Sequence, residues 1–154
     1  MAEDTKINDP QYTYYEEVYE VFLRTVDSYD FEQMDDDELK ETLYGYLDLG
    51  RLAFSTYISK DFYDDSPNEE RFNFKLSRAE MTLLAMAMKL EWVREHKHSE
   101  ELMRKSIGDR DYAAVQGYQY LEKLQSMENQ LTKELDSRIN RIEYSNQDLY
   151  GDMK

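Results

Sequence analysis

Hydrophobic and polar residues follow each other along this chain mostly in steps of three and four, the spacing of one face of an α-helix. The first periodic stretch predicts a helix over about residues 12–29. The second predicts another within residues 38–59, with Asp35 or Asp36 as its cap. Gly45 and Gly50 lie inside the second stretch, where each glycine costs about 1 kcal/mol relative to alanine. They indicate either a close helix contact or a bend, and the pattern leaves both open. Residues 60–71 are acidic and aperiodic, so we expect a loop there.

The start of the third helix is the most sharply defined in the sequence. Ser77 and Glu80 have the spacing of a capping box, in which each side chain binds the other residue's backbone amide. Leu76 and Met81 occupy the two positions of the hydrophobic staple that accompanies such a start. The helix is expected over about residues 78–96. Hydrophobic residues cover so much of its circumference that we place it in the middle of a bundle.

Two further helices are predicted in the last third of the chain. A short one begins at Ser99 and ends near residues 107–108, and a long one covers about residues 110–143, with Asp109 or Asp111 as its cap. The long helix would measure roughly 50 Å at about 1.5 Å per residue. Because that length exceeds a small globule, we expect part of it to project or to pack on a neighbouring subunit.

Together these stretches predict an all-α protein, a helical bundle of about five helices with a long C-terminal helix and an extended C-terminal tail. The boundaries follow from where the periodicity starts and stops. Residues 1–11 form a flexible N-terminal tail, residues 12–143 the helical bundle domain, and residues 144–154 the extended tail. The length of 154 residues suits one domain, which can bury about 70% of its unfolded surface without needing a disulfide.

Charge and composition narrow the function classes. Thirty-four acidic residues outnumber 19 basic ones, and the net charge of −15 repels phosphate and anionic lipid. The basic footprint of a nucleic-acid reader is missing from the sequence. The longest apolar run, residues 81–88, is far below the roughly 20 residues of a membrane helix. The chain has no cysteine, and residues 1–10 do not resemble a secretory signal, which fits a protein made in the cytosol.

Candidate catalytic and metal-binding patterns are weak. Glu95 and His98 form one Glu-x-x-His, the half-motif of di-iron bundles, but the second half is missing because His96 is the only other histidine. We interpret both histidines as surface residues at a helix end. Acidic pairs arise by chance among so many carboxylates, and no calcium, phosphate-binding or nucleophile motif occurs. We therefore predict no catalytic residue, no metal ligand, no cofactor and no enzymatic activity.

Four segments, taken in order, carry a family resemblance. An acidic helix DDELKETLYGYLDLGRLAF is followed by FNFKLSRAEMTLLAMAMKLEWV, by GDRDYAAVQGYQYLEKLQSMENQLTKEL and by INRIEYSN. Together they cover roughly residues 30–146 and resemble the head–tail connector proteins of tailed bacteriophages, also called adaptor or head-completion proteins. The most specific features are Leu76, Ser77, Glu80, Glu91 and Trp92 in the central helix, Arg110, Asp111 and Tyr112 in the turn, and EYSN at residues 143–146.

The resemblance implies a structural virion protein without an active site. Such proteins form a ring, commonly dodecameric, that docks under the portal protein, extends the DNA channel and joins the head to neighbouring neck and tail proteins. Genomic DNA then passes through the lumen without specific binding, and no membrane is involved. The family's C-terminal segment inserts at the portal, and on this chain the implied contacts are Tyr144, Asn146, Leu149 and Tyr150. The implied location is the virion neck, after synthesis in the host bacterial cytoplasm.

Three other functions fit parts of the sequence. An acidic DNA-mimic inhibitor fits the net charge, although the acidic residues are spread over every segment. A cytosolic regulatory bundle that binds a partner helix fits the helical periodicity. A four-helix metalloenzyme fits the single Glu-x-x-His and lacks the further histidine that such a site requires.

Overall fold

The structure, a computed structural model, describes residues 8–27 and 29–151, with side chains up to Asn146. Within this part of the chain there are six α-helices and one antiparallel pair of short strands, so the predicted all-α class with a long C-terminal helix is confirmed. The elements are α1 (Tyr15–Leu23), α2 (Tyr29–Glu32), α3 (Asp36–Gly50), β1 (Asp65–Ser66), β2 (Arg71–Phe72), α4 (Arg78–Ile107), α5 (Asp109–Ala114) and α6 (Gly117–Gly151), with short 3₁₀ turns at Arg51–Phe54 and Pro67–Glu69.

Helix α4 is the centre of the domain, as its hydrophobic surface predicted. It packs against α1, α3 and α6, and Leu84, Met88 and Val93 are fully buried on it. The predicted capping box is present. The Ser77 hydroxyl accepts a hydrogen bond from the Glu80 amide at 3.1 Å, and the Glu80 carboxylate accepts one from the Ser77 amide at 2.9 Å. The first turn of α4 is therefore stabilised by two local hydrogen bonds in addition to the packing of its core side chains.

The two glycines of α3 have different roles. A Cβ at Gly50 would lie 3.1 Å from the backbone carbonyl carbon of Ala87 and 3.1 Å from the amide nitrogen of Met88, so the backbones of α3 and α4 touch there. A Cβ at Gly45 would meet nothing within 4 Å. Of the two interpretations that the sequence left open, close helix contact is correct for Gly50.

Two predicted helix boundaries in the second half of the chain are wrong. α4 continues from Arg78 to Ile107, because the polar residues 96–99 suit a helix with an exposed surface and no glycine or proline stops it before Gly108. The last helix begins at Gly117 rather than at residue 110. Gln116 has a positive φ of 58°, which separates α6 from the short helix before it.

The first third of the chain also differs in detail from the prediction. α1 ends at Leu23 instead of continuing to Tyr29, which starts the separate helix α2. Asp35, one of the two predicted caps of α3, does cap it, since its carboxylate accepts a hydrogen bond from the Glu38 amide at 2.8 Å. The acidic segment 60–71 contains β1 and the start of β2 rather than loop alone, because residues 65–66 pair with residues 71–72 across the 3₁₀ turn.

The extended tail predicted from residue 144 is wrong for residues 144–151, where α6 continues as a helix to Gly151. The reason is local, because neither glycine nor proline follows Gly117 until that residue, and nothing in the sequence ends the helix earlier. Residues 152–154 lie outside the described residues. So do residues 1–7 of the predicted N-terminal tail.

The molecule has two regions, which we call the body and the hairpin. The body comprises residues 8–99 and 131–146 and contains the main hydrophobic core, to which α6 contributes Leu135 and Ile139. The hairpin comprises residues 100–130, that is, the end of α4, all of α5 and the start of α6. Tyr112 and Leu124 are buried in the hairpin, outside the main core. The long last helix thus belongs to both regions.

Candidate functional site

The far end of the hairpin is a turn built around Tyr112. This side chain is fully buried, and its hydroxyl donates a hydrogen bond to the Glu100 carboxylate at 2.8 Å. Its ring packs edge-on against Tyr118, with ring centres 5.0 Å apart. Burial, and then the hydrogen bond to the carboxylate, raises the pKa of Tyr112 to about 12, so the phenol stays protonated and keeps donating.

The backbone at this turn is shaped to admit the Tyr112 ring. Gly108 ends α4 with a φ of 87°, which glycine adopts without steric cost. A Cβ at Gly117 would overlap the ring of Tyr112, so this position requires glycine. The end of the hairpin is therefore a specified structure rather than a loose connection.

Exposed apolar side chains gather at this end of the hairpin. We call them the tip patch, and their exposed fractions range from 38% to 65%. Within residues 102–120, three basic residues face two acidic ones, although the whole chain has a net charge of −15. A weakly basic apolar surface on a strongly acidic protein is typical of a contact site. The tip patch consists of Leu102, Met103, Ile107, Val115, Tyr118 and Tyr120.

A groove between α1 and α3 is the second candidate surface. It encloses about 570 Å³, which lies within the range of about 300–1,000 Å³ found for ligand-binding pockets. Tyr15, Tyr19, Leu23, Leu39 and Leu43 contribute apolar surface to it. Its acidic lining residues are Glu16, Glu20, Asp36, Asp37 and Glu70, and Lys40 adds one positive charge.

The electrostatics of the groove follow from this lining. Burial, and then the nearby Glu70 carboxylate, raises the pKa of Tyr19 above its ordinary value. Lys40 lies 3.8 Å from Glu70, but both side chains are more than half exposed, so this pair contributes little to stability. The groove is therefore suited to a ligand that has both apolar and positively charged groups.

Two ion-pair clusters lie largely buried within the body and connect its elements. The Arg51 guanidinium donates hydrogen bonds to Asp65 at 2.8 Å and to Asp48 at 2.6 Å, and Asp65 also accepts one from the Tyr15 hydroxyl. These bonds fasten β1 to α1 and α3. We assign this cluster a structural role, because each charged group already has partners within the chain.

The second cluster surrounds Glu80 at the start of α4. Its carboxylate accepts hydrogen bonds from Lys60 at 2.5 Å and from the Tyr57 hydroxyl at 2.7 Å, in addition to the capping bond from Ser77. Burial alone would raise the pKa of Glu80, but these hydrogen bonds outweigh it and lower the pKa below the ordinary value. Glu80 therefore remains ionised in the folded protein at neutral pH.

The four residues predicted as portal contacts do not form one described surface. Tyr144 is 68% exposed and free for a partner to contact. Asn146 instead binds its own chain, donating hydrogen bonds to the Tyr57 hydroxyl and the Ser59 hydroxyl, both at 3.1 Å. The side chains of Leu149 and Tyr150 lie outside the described residues, so their predicted contacts stay predictions.

The sequence analysis missed the tip patch and the groove. One signal for the patch was present, namely that the near-neutral stretch 102–120 contains seven large hydrophobic residues, of which all except Tyr112 are exposed in the fold. The groove had no such signal, because its two sides come from α1 and α3, and only folding brings them together.

The histidines do not lie at a helix end, because α4 continues for nine residues beyond His98. His96 Nδ1 lies 2.9 Å from the Trp92 carbonyl oxygen, and Nε2 lies 3.1 Å from Asp30. Among the described residues, no three or more potential metal-binding side chains come together. None of the helices in the described part of the chain combines the length and hydrophobicity that crossing a bilayer requires.

Comparisons with protein-family models, curated proteins and solved structures found no match for this chain. The resemblance to phage connectors therefore stays a prediction that rests on the sequence segments quoted above.

Proposed function

We propose that this protein is a structural assembly protein, a head–tail connector subunit that forms a ring on the phage portal and joins the head to the neck and tail. The observation that carries the proposal is the tip patch. It is an apolar surface at the end of a specified two-helix projection, which is a typical arrangement for contact between protein subunits.

The distribution of charge also supports this role. A net charge of −15 lets genomic DNA pass a ring lumen without gripping its phosphates. The near-neutral stretch 102–120, which carries the tip patch, meets less repulsion from another acidic subunit than the strongly acidic segments of the chain do. Together these features suit a conduit whose subunits bind each other and not the DNA.

The C-terminal end of α6 is the proposed attachment to the portal. Tyr144 is exposed there. Asn146 fastens the helix to the body through Tyr57 and Ser59, so the residues after it start from a fixed point. In this proposal the segment 147–154 binds the portal, whereas the hairpin serves contacts between subunits.

The test is a binding experiment with the portal protein encoded nearest to the gene of this chain. The two proteins are co-expressed, and portal rings are purified and imaged by electron microscopy. We expect the wild-type chain to add a ring of density below the portal. A variant ending at Asn146 keeps the hydrogen bonds to Tyr57 and Ser59 and should fold, yet bind the portal at least about tenfold more weakly.

The matched control for this truncation is Ser137→Ala, which changes an exposed position elsewhere on α6 and should leave portal binding unchanged. Equal binding by the truncated variant would contradict the assignment of the C-terminal segment. Absence of wild-type binding, together with early or metabolic genes around this one, would contradict the connector function as a whole.

A second candidate is the acidic DNA mimic, which the carboxylates around the α1–α3 groove favour. Five acidic side chains line this groove, and a mimic of phosphates needs such a concentration of negative charge. It predicts binding to DNA-handling enzymes that weakens steeply as salt is raised. Competition between this protein and DNA for such an enzyme distinguishes the two functions.

A further inference from the structure

We propose that the tip patch of one copy of this chain docks in the α1–α3 groove of a second copy. This contact deepens the proposed connector function and rests on it, since it names the surfaces through which neighbouring subunits would meet. Both surfaces occur on every copy, one on the hairpin and one on the body.

Charge complementarity is the first support for this pairing. The groove is lined by five carboxylates and one lysine. The tip offers Arg104, Lys105 and Arg110 next to its apolar side chains, against Asp109 and Asp111. Over the stretch 102–120 three basic residues face two acidic ones, although the whole chain has a net charge of −15. Opposite charges at the two surfaces favour their association and disfavour contact between two grooves.

Apolar complementarity is the second support. The groove is lined by leucine and tyrosine side chains beneath its carboxylates, and about 570 Å³ is open to an incoming group. Leu102 and Met103 are about half exposed at the end of α4, one turn before Ile107. An apolar side chain flanked by Arg104 and Lys105 matches a groove that has an apolar floor and an acidic rim.

The geometry of such a contact determines the kind of assembly. A contact between two different surfaces is heterologous, so each copy uses its tip on one neighbour and its groove on the other. Such contacts continue from copy to copy and close into a ring when the rotation between copies allows it. A symmetric dimer through the tip patch alone would leave the groove empty and would stop at two copies.

The test uses charge reversal on either surface. Lys105→Glu with Arg110→Glu reverses the tip, and Glu16→Lys with Glu20→Lys reverses the α1 side of the groove. All four positions are exposed, so the fold should survive, as circular dichroism will show. The matched control, Lys133→Glu with Arg141→Glu, makes the same charge change as the tip variant on the exposed side of α6.

Self-association is measured by sedimentation velocity and mass photometry over a range of protein concentrations. We expect the wild type and the control to associate, and each reversed variant to associate at least about a hundredfold more weakly. A mixture of the tip-reversed and groove-reversed variants should associate again, because the acidic tip of one then meets the basic α1 side of the groove of the other. Added salt should weaken wild-type association.

A second measurement uses the absence of cysteine from the chain. Met103→Cys places a thiol in the tip patch, Asp37→Cys places one at the groove, and Ser137→Cys places one on a distant exposed position. Mixed under mild oxidation, the first pair should form a disulfide-linked dimer much faster than Met103→Cys does with Ser137→Cys. Equal rates would overturn the docking.

The remaining outcomes separate this inference from the proposed function. Rings that persist in both reversed variants overturn the tip-to-groove contact while the connector function stands. Loss of association in the groove variant alone shows that another segment occupies the groove, which also overturns the contact. A wild-type chain that stays monomeric at every concentration overturns it too, and the connector function is then decided by the portal experiment.

Discussion

The body and the hairpin share two helices, α4 and α6, but differ in what surrounds those helices. In the body, α1 and α3 flank α4, and residues such as Phe22, Leu47, Leu84 and Leu135 form one continuous core. In the hairpin, α5 is the additional element, and burial rests on Tyr112 and Leu124. The same helix is therefore a core element in its first half and largely a surface element in its second.

This difference separates the residues that stabilise the fold from those that expose apolar surface. The body provides stability, because its apolar residues are already covered by their own chain. The hairpin exposes apolar residues in a fixed arrangement, with Gly117 admitting the Tyr112 ring so that the turn keeps its shape. Loss of a side chain should consequently destabilise the fold when it lies in the body, whereas in the hairpin it should mainly weaken the proposed contact between copies.

The largest expected contrast comes from the same substitution at two positions of α4. Leu84 is fully buried in the body, whereas Leu102 is 53% exposed in the hairpin. Leu84→Ala should lower the free energy of unfolding by about 2–5 kcal/mol. Leu102→Ala should change it by less than about 0.5 kcal/mol. Urea denaturation followed by circular dichroism measures both, and similar losses would show that the hairpin has a core of its own.

A smaller effect is expected for Glu80→Gln, which tests how the body fixes the start of α4. The glutamine keeps the shape but loses the charge that Lys60 and Tyr57 bind, so stability at pH 7 should fall by about 1.5–3 kcal/mol. Because folding lowers the pKa of Glu80 below 4.5, its contribution is fully present above that pH and is lost as the pH falls through the folded value.

The pH series itself supplies the control for this prediction. The difference between wild type and Glu80→Gln should shrink as the pH is lowered from 4.5 through the lowered pKa of Glu80, because the wild-type carboxyl then becomes neutral as well. Thermal unfolding at each pH measures it. A difference that stays constant over this range would show that the charge of Glu80 does not contribute.

The glycines of α3 give a third test within the body. Gly50→Leu forces a side chain against the backbone of α4 at Ala87 and Met88 and should cost about 1–3 kcal/mol of stability. Gly45 is exposed and a Cβ there would meet nothing within 4 Å, so Gly45→Leu should stabilise the protein by up to about 1 kcal/mol through helix propensity. Chemical denaturation compares the two. Equal effects would mean that α3 and α4 can move apart at little cost.

The smallest global effect is expected for Gly117→Ala, which displaces the Tyr112 ring from the end of the hairpin. Because the body is unchanged, the free energy of unfolding should fall by no more than about 1 kcal/mol. Amide hydrogen exchange should accelerate within residues 109–120 and stay as in the wild type within residues 80–93. Accelerated exchange in both segments would show that the two regions unfold as one unit.

The features of this fold that the sequence could predict depend on interactions between residues close to each other in the chain. The Ser77–Glu80 capping box, the Asp35 cap and the central place of α4 depend on neighbouring residues or on one periodic pattern, and the structure has all three. For Gly50 the sequence left a close helix contact and a bend both open, because a close contact depends on which helix lies opposite. Pairing between distant residues, such as Arg51 with Asp65, leaves no periodic signal.

The errors in helix boundaries have an equally physical origin. The polar residues 96–99 resembled a helix end, but they reflect the passage of α4 from the body into the exposed hairpin. The break before Gly117 depends on the left-handed backbone conformation of Gln116. A glutamine in the sequence does not predict this conformation. For the candidate site, sequence reasoning named Tyr144 and Asn146, whereas the tip patch emerges only when burial is known.

Helix α6 also has a mechanical consequence. It is continuous from Gly117 to Gly151 and is held in the body by Leu135 and Ile139. Tyr120 lies about 28 Å from Ile139 along the helix. A tilt of α6 by about 5° around Ile139 would therefore move Tyr120 by roughly 2.5 Å. In the proposed assembly, a small change in how α6 packs in the body would therefore change the angle between successive copies.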